Sequence, residues 1–307
     1  FNLRDDLSWV TRNADRGEIS EVRPLVAQDF ADGIRRTLDP NTASDYAYVL
    51  YVIDGGEAFN NAVPEAEDFQ TLSDGLGVNA VDDTTLEVTF ADPISYAPAI
   101  MGMWITYAQP LDVITEVGDG WTEAGSIVTS GAYTLEAWEH NVELNLIKNP
   151  YYFEADTVQI DRIVGAIITE DSTAMALYES GELDVTSPPS ADLDRVRSDE
   201  VLSQELNISP QTCTYYFGFV NDKPPTDNAT VRRALSAAIN RPVLIDNVIK
   251  GGQIPAHSFA PPGIFGSVAD DMEVGGWMVM DDYAAQVAQA QAWMEEAGYP
   301  NGEGLEL

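Results

Sequence analysis

CTYYFGFVNDKPPTDNATVRRALSAAINRPVLIDNVIKGGQIPAHSFAPPG, the stretch from Cys213 to Gly263, decides the fold of this chain. It opens with β-forming residues from Thr214 to Val220, and a turn-forming cluster over 221–225 follows them. Aromatic and β-branched residues bounded by Asn, Asp and Pro are typical of a strand that enters a sharp loop. The pattern therefore predicts a strand over 214–220, with Cys213 as a small buried residue at its start.

Two helices are predicted after this loop. Apolar residues at the i, i+3, i+4, i+7, i+8 spacing bury one face of the first helix. The pair Arg241-Pro242 marks the start of a new helix, because proline is tolerated only in the first turn of a helix. A second short helix is predicted over 243–249, with Lys250 in its last turn and Gly251-Gly252 as its left-handed cap. The apolar residues of the first helix are Val231, Ala234, Leu235, Ala238 and Ile239.

The order of strand, Pro-Pro loop, VRRALSAAINR helix, second helix and PAHSFAPPG resembles the family 5 solute-binding proteins, the oligopeptide and dipeptide receptors of bacterial ABC importers. The resemblance covers nearly the whole chain, with the motifs in the family's order and at about its spacing. The further motifs are FNLRDDLSW (Phe1 to Trp9), LDPNTASDYAYVL (Leu38 to Leu50), LGVNAVDDTTLEVTFADPISY (Leu76 to Tyr96), IVTSGAYTLEAW (Ile127 to Trp138), KNPYYF (Lys148 to Phe153), ESGELDV (Glu179 to Val185) and EEAGYPNGEG (Glu295 to Gly304).

The resemblance implies an α/β, bilobal fold of the periplasmic-binding-protein type (type II, with an extra accessory domain). By this analogy residues 1–108 form the accessory domain, 109–212 part of the first ligand-binding lobe, and 213–307 the start of the second. Family members normally carry a strand-rich segment before this region and a long stretch after it. The chain is therefore expected to be incomplete, and with one cleft wall unfinished it is expected to bind peptide weakly or not at all.

The same resemblance implies an extracytoplasmic receptor, in the periplasm or at the cell surface, tethered to the membrane if it is a lipoprotein. Such a receptor is a monomer that captures oligopeptides between its lobes by hinge closure and delivers them to an ABC permease. It is no enzyme and needs no cofactor or metal. The same fold also serves for a dipeptide, an oligosaccharide, a nickel chelate or haem, or for sensing peptides, and these ligands stay open.

Six residues are placed at the ligand by resemblance. The family's tyrosine in the SxYA motif faces the peptide cleft, and the motif reads SDYA here. The start of the predicted 214–220 strand suits peptide binding at a sheet edge, where main-chain hydrogen bonds supply affinity. A buried sandwich strand with tyrosines in its core explains the same pattern equally well. The six residues are Tyr46, Ser187, where family members often have tyrosine, Cys213, Thr214, Tyr215 and Tyr216.

The chain of 307 residues holds 51 Asp and Glu against 15 Lys and Arg, a net charge of −36. A field of that sign repels nucleic acid and anionic lipid, so both are excluded as partners. An acidic, heavily solvated surface is tolerated where salt screens the self-repulsion. The composition therefore predicts a stability that depends on salt.

Signatures of catalysis and metal binding are missing from the sequence. It has one cysteine and two histidines, and neither a GxSxG nor an HExxH motif occurs. With so many acids, pairs of carboxylates will meet in any fold, and glycoside hydrolysis needs only two of them. An acidic secreted hydrolase with paired carboxylates is accordingly the alternative from a different functional class.

The remaining elements are predicted from periodicity and turn residues. Helices are expected over 25–40, from a Ser44 cap through Ile53, over 171–180 and around 287–297. Strands are expected at Phe1–Leu3, over 86–90, and as a hairpin with arms 133–137 and 142–146. Strands at 160–169 and 183–186 flank the 171–180 helix and predict a right-handed parallel crossover. Residues 60–77 and 263–282 are predicted as loops.

Overall fold

The structure is a computed structural model that describes residues 1–209, 211–264, 266–269, 271 and 282–306. The chain divides into two compact units, Phe1–Ile167 and Ile168–Leu307. We describe each unit by itself. This division does not test the lobe boundaries inferred from the sequence, which stay predictions.

The first unit combines short helices with antiparallel strands. Its strands are β1 (Ser8–Arg12), β2 (Ile19–Pro24), β3 (Val78–Asp82), β4 (Thr85–Val88), β5 (Val128–Thr129), β6 (Tyr133–Glu139), β7 (Glu143–Lys148) and β8 (Arg162–Ala166). Its α-helices are α1 (Ala27–Leu38), α2 (Gly56–Asn60), α3 (Phe69–Asp74), α4 (Ala97–Ile100) and α5 (Leu111–Val117).

Helix α1 organises the core of the first unit. The residue before the helix, the N-cap Val26, has no side chain that can accept a hydrogen bond. The Asp29 carboxylate instead turns back and accepts from the Val26 N–H at 2.9 Å. Ile34 and Leu38 are fully buried, and burying each such side chain stabilises the fold by roughly 2 kcal/mol. The helix ends before Asp39-Pro40, which confirms the prediction for this segment. The core around α1 also includes Leu50, Ile53, Phe59, Leu76, Val78, Leu86, Ile100 and Ile105.

Three antiparallel sheets complete the first unit. Their strand orders are β2-β1-β5, β3-β4 and β6-β7-β8. The β6–β7 pair is the predicted hairpin, with Leu135 opposite Leu146. Strand β4 confirms the strand predicted near residue 86, and it pairs with β3.

Over the residues described, the regular structure of the second unit is helical, with long irregular segments between the helices. Five of its six α-helices have nine residues or fewer, and the longest lies near the end of the chain. The helices are α6 (Asp171–Glu179), α7 (Leu193–Ser198), α8 (Leu202–Glu205), α9 (Ala229–Ala237), α10 (Arg241–Leu244) and α11 (Tyr283–Glu296).

Helices α9 and α11 confirm two predicted helices. Asn228 caps α9 by accepting from the Thr230 N–H at 2.9 Å. The buried face of α9 is Val231, Ala234 and Ala237. Of the other predicted residues, Leu235 is half-buried, and Ala238 and Ile239 are exposed because the helix ends before them. Helix α11 packs against α9, and its buried Gln286 donates to the Ala237 carbonyl.

The second predicted helix ends differently from the expectation. Helix α10 passes into a π-helical turn, Ile245–Ile249, and the left-handed residue that closes it is Lys250, with φ 60°. The expected cap was Gly251-Gly252, of which only Gly252 has a positive φ. Two contacts hold Lys250 in this position. Its ammonium group pairs with Asp194, and its backbone carbonyl accepts from Arg197 at 2.6 Å.

The predicted strand over 214–220 is wrong for the structure described. No described segment pairs with these residues, and Cys213, expected to be buried, is exposed. β-forming side chains make a strand only when a neighbouring strand takes up their backbone hydrogen bonds, and none of the described residues does so.

The predicted parallel crossover is also wrong. Strand β8 pairs with β7 in the antiparallel sense, and residues 183–186 form no strand. Val185 is 85% exposed, so these residues have neither a sheet partner nor a core to cover. The helix between them, α6, is confirmed, and its buried residue is Met175.

Smaller differences concern short segments. Residues 47–52 form a 3₁₀-helix that Ser44 does not cap, and Asn2 makes a single β-bridge to Thr85 in place of a strand. Part of the predicted 60–77 loop is helix α3. The loop predicted over 263–282 lies largely outside the described residues, including Met272, Trp277, Met278 and Met280.

The excess of acids leads to a prediction about salt. We expect the melting temperature to rise by at least about 5 °C between 10 mM and 2 M KCl, because the screening length falls from about 30 Å to less than about 3 Å and weakens the repulsion within a chain of net charge −36. Differential scanning calorimetry measures this. A melting temperature that stays flat between about 10 mM and 2 M KCl would contradict the prediction.

Candidate ligand-contacting surfaces

An exposed aromatic patch lies on the first unit. It consists of Tyr46, Tyr48 and Trp104, which are 46%, 61% and 57% exposed. The Tyr46 ring is stacked with Tyr48 at 6.5 Å and meets Trp104 edge-on at 5.5 Å between ring centroids. Aromatic rings that remain in water offer flat apolar surface to a ligand at low entropic cost.

Two 3₁₀-helices hold this aromatic patch in place. The helix Ala47–Val52 follows Tyr46 and buries Leu50, so the neighbouring tyrosines are fixed at the surface. The helix Trp104–Thr106 buries Ile105 beside the exposed Trp104. Both patch segments are therefore anchored in the core around α1. The sequence identified Tyr46 as a site residue but missed Trp104, because the two are far apart in the chain.

A second surface lies on the second unit, on the segment from Thr214 to Val220. Tyr215, Tyr216 and Phe217 are 88%, 63% and 78% exposed. No backbone N–H of this segment donates to the backbone of another described residue. The segment thus combines free backbone donors with exposed aromatic rings, the two features that let an extended peptide bind alongside.

Residues near Phe259 hold the start of this segment. The Thr214 hydroxyl donates to the Phe259 carbonyl at 2.7 Å, and the Tyr216 ring meets the Phe259 ring edge-on at 5.1 Å. Tyr215 meets Phe217 in the same way at 5.8 Å. Phe259 is itself 70% exposed and was not identified from the sequence. The predicted site residues Thr214, Tyr215 and Tyr216 are therefore brought together with Phe259.

The other predicted site residues lie apart from these contacts. Ser187 is exposed in an irregular segment ahead of α7. Cys213 is exposed at the start of the 214–220 segment. No structural observation assigns either residue a contact with ligand.

Two groups of carboxylates among the described residues are joined by an arginine. Arg195 pairs with both Asp192 and Glu179, and the hydrogen bond from this guanidinium lowers the pKa of Asp192. Arg23 in the same way lowers the pKa of Asp112. A general acid for glycoside hydrolysis needs a raised pKa. These acids therefore do not suit that role.

Among the described residues, no group of three or more His, Cys, Asp or Glu side chains is arranged to hold a metal ion. Over the same part of the chain, no helix is both long and apolar enough to cross a bilayer.

Comparison with known proteins decides the family. The family model described as bacterial extracellular solute-binding proteins, family 5 Middle, matches residues 1–307. The chain belongs to this family. The family 5 chain is therefore assigned to the outside of the cytoplasm, and its relatives are binding proteins.

Relatives with known names agree with this assignment. The family 5 chain is 33% identical to the periplasmic oligopeptide-binding protein OppA of Escherichia coli over 97% of its own length and 52% of the relative. The solved structure of Burkholderia pseudomallei OppA matches with a TM-score of 0.77 and 26% identity, over 98% of this chain and 55% of that one. Haemophilus influenzae OppA, solved in complex with the peptide RPPGFSPFR, matches with a TM-score of 0.69 and 25% identity, over 95% and 61%.

These comparisons confirm the family and the fold class inferred from the sequence. The mixed helix-and-sheet fold is of the periplasmic-binding-protein type. The chain spans about half the length of the curated relatives it matches. The six site residues inferred from resemblance stay predictions.

Proposed function

We propose that the protein to which this chain belongs captures oligopeptides outside the cytoplasm and passes them to the permease of an ABC importer. The observation that carries the proposal is the 214–220 segment, whose backbone N–H groups are unpaired among the described residues and whose tyrosines are exposed. Main-chain hydrogen bonds to such a segment are independent of peptide sequence, while exposed rings accommodate varied side chains. Binding of varied peptides needs both properties.

The aromatic patch supports the same proposal. Tyr46 occupies the motif position that faces the cleft in the family, and Trp104 extends the apolar surface beside it. The match to OppA of Haemophilus influenzae, a protein solved with a bound peptide, favours a peptide over the other ligand classes. In this role the protein acts by binding alone, as a monomer, without catalysis or cofactor.

Peptide binding to the natural protein tests this proposal. We expect Tyr216→Ala to weaken the binding of a tripeptide such as trialanine by about 10- to 30-fold, since loss of a central tyrosine in a binding surface costs roughly 2 kcal/mol. Isothermal titration calorimetry measures the dissociation constant. Tyr216→Phe keeps the ring and removes only the hydroxyl, and we expect it to weaken binding less than Tyr216→Ala.

The control for this experiment is Tyr151→Ala. Tyr151 is 41% exposed and lies in the first unit after β7, away from both candidate surfaces in the sequence. We expect its removal to leave the dissociation constant unchanged. Equal losses in Tyr216→Ala and Tyr151→Ala, or no binding of any peptide to the unmodified protein, would refute the proposal.

A further inference from the structure

A cavity of about 520 Å³ lies within the second unit, between residues 218–221 and helix α9. Arg232, Arg233 and Ser236 of α9 line it, and with Ala229 they follow the i, i+3, i+4, i+7 spacing of one helix face. This face is separate from the buried face that includes Val231. The cavity wall is therefore a second, polar face of the helix.

The two arginines of the cavity have no carboxylate partner. Among the described residues, neither Arg232 nor Arg233 lies within ion-pair distance of an Asp or Glu. Arg16, Arg36 and Arg197 also lack an acidic partner among the described residues, but Arg232 and Arg233 are adjacent in the sequence and line one cavity. Asp222 and Asp227 lie nearby in the sequence, but neither forms an ion pair with these guanidinium groups among the described residues.

Local contacts hold two of the lining side chains in place. Nη1 of Arg232 donates to the carbonyls of Thr226 and Asp227 at 2.8 and 3.0 Å, which fixes the side chain while its other N–H groups have no partner among the described residues. The Ser236 hydroxyl accepts from Arg241 at 2.8 Å and keeps its own hydrogen to donate. Asn221 adds a side-chain amide to the opposite wall.

We propose that this cavity binds a carboxylate group. A guanidinium fork matches the two oxygens of a carboxylate, and a hydroxyl and an amide add further donors. A phosphate fits the donors too, but a chain of net charge −36 repels a dianion more strongly than a monoanion. The cavity is open to solvent, so it suits the carboxylate of a small acid or of a peptide whose remaining atoms stay exposed.

This site goes beyond the proposed function, because it requires only an anion and uses neither Tyr216 nor the aromatic patch. It is tested in the natural protein by NMR of the arginine Nε–Hε groups during titration with sodium acetate. The reference titration uses sodium chloride at the same ionic strength. We expect saturable shifts of the Arg232 and Arg233 signals in acetate alone, while the signal of Arg16, an exposed arginine of the first unit, stays unchanged.

Substitution of Arg233 provides the second measurement. The side chain of Arg233 is exposed and makes no hydrogen bond within the described structure, so Arg233→Gln removes charge without removing a structural contact. We expect it to weaken acetate binding, followed at Arg232, by at least about tenfold, the range for a charged hydrogen bond. Arg16→Gln makes the same change of charge elsewhere and is expected to have no effect.

Two other probes identify the source of the carboxylate. N-acetylalanine and acetyl-trialanine carry the same group on a small acid and on a peptide, and tighter binding of the second assigns the cavity to peptide ligands. The carboxamides of both probes lack the charge and are expected not to bind. Equal binding of acids and amides, equal shifts in acetate and chloride, or full acetate affinity in Arg233→Gln would each overturn the proposal. None of these results depends on whether the protein transports peptides.

Discussion

Replacing Arg23 with methionine is expected to destabilise the first unit by about 3 kcal/mol or more, because it leaves a buried carboxylate without its counter-charge. The carboxylate is Asp29, which is only 5% exposed. Arg23 donates to both of its oxygens, at 2.9 and 2.8 Å. Trp9 Nε1 and the Val26 N–H donate to the same carboxylate at 3.0 and 2.9 Å, but neither of them carries charge.

Two variants separate burial from simple loss of an ion pair. Asp112 pairs with the other side of Arg23 at 2.8 Å, but its side chain is 54% exposed, so Asp112→Asn is expected to cost less than about 1 kcal/mol. Arg23→Lys keeps the charge and loses the two-pronged geometry, and its cost is expected to lie between the two. Urea unfolding followed by circular dichroism measures all three. Equal costs for Arg23→Met and Asp112→Asn would show that the burial of Asp29 is not the cause.

Replacing Gly33 with alanine is expected to destabilise the first unit by about 2 kcal/mol, although alanine is the better helix former by about 1 kcal/mol. Gly33 lies inside α1, where a β-carbon would stand 2.3 Å from the Tyr107 carbonyl oxygen and 3.3 Å from the Gln109 nitrogen. Both are backbone atoms. They are also held in place, because the Gln109 N–H donates to the Asp29 carbonyl at 3.0 Å.

The control for Gly33→Ala is Gly102→Ala. A β-carbon at the exposed Gly102 would meet its nearest atom at 3.5 Å, which is ordinary contact, and the change is expected to stay within about 0.5 kcal/mol. The free energy of unfolding in urea is the quantity to compare. A Gly33→Ala protein as stable as the unmodified one would mean that the 105–109 segment can move away from α1 at little cost.

The elements predicted correctly from the sequence are those whose stabilising interactions lie between residues close together in the chain. The capping side chains and apolar spacing of α9 lie within the helix itself, and the β6–β7 hairpin needs only two adjacent strands. Helix α3 was missed because its six residues, FQTLSD, hold only two apolar side chains. Its pattern is therefore too short to show a helical period.

Errors arose where a residue depends on a distant partner. Residues 214–220 have the composition of a strand, but composition does not supply the neighbouring strand that would pair with them. For the same reason the exposure of Cys213 was mispredicted. The candidate surfaces show the same limit, since Tyr46 was predicted from its motif and stays a prediction, whereas Trp104 and Phe259 reach their aromatic partners only through the fold.

The backbone of residues 214–220, unpaired within the described part of the chain, also bears on how copies of the protein behave in a crowded solution. An apolar, uncharged run of β-forming residues whose N–H groups have no partner among the described residues is a template for aggregation between chains. The run is followed closely by two charged residues and two prolines, Asp222, Lys223, Pro224 and Pro225. Charged residues and prolines beside an apolar β-forming segment oppose the growth of fibres. The net charge of −36 adds long-range repulsion between copies. The acidity thus gives colloidal protection to this exposed segment.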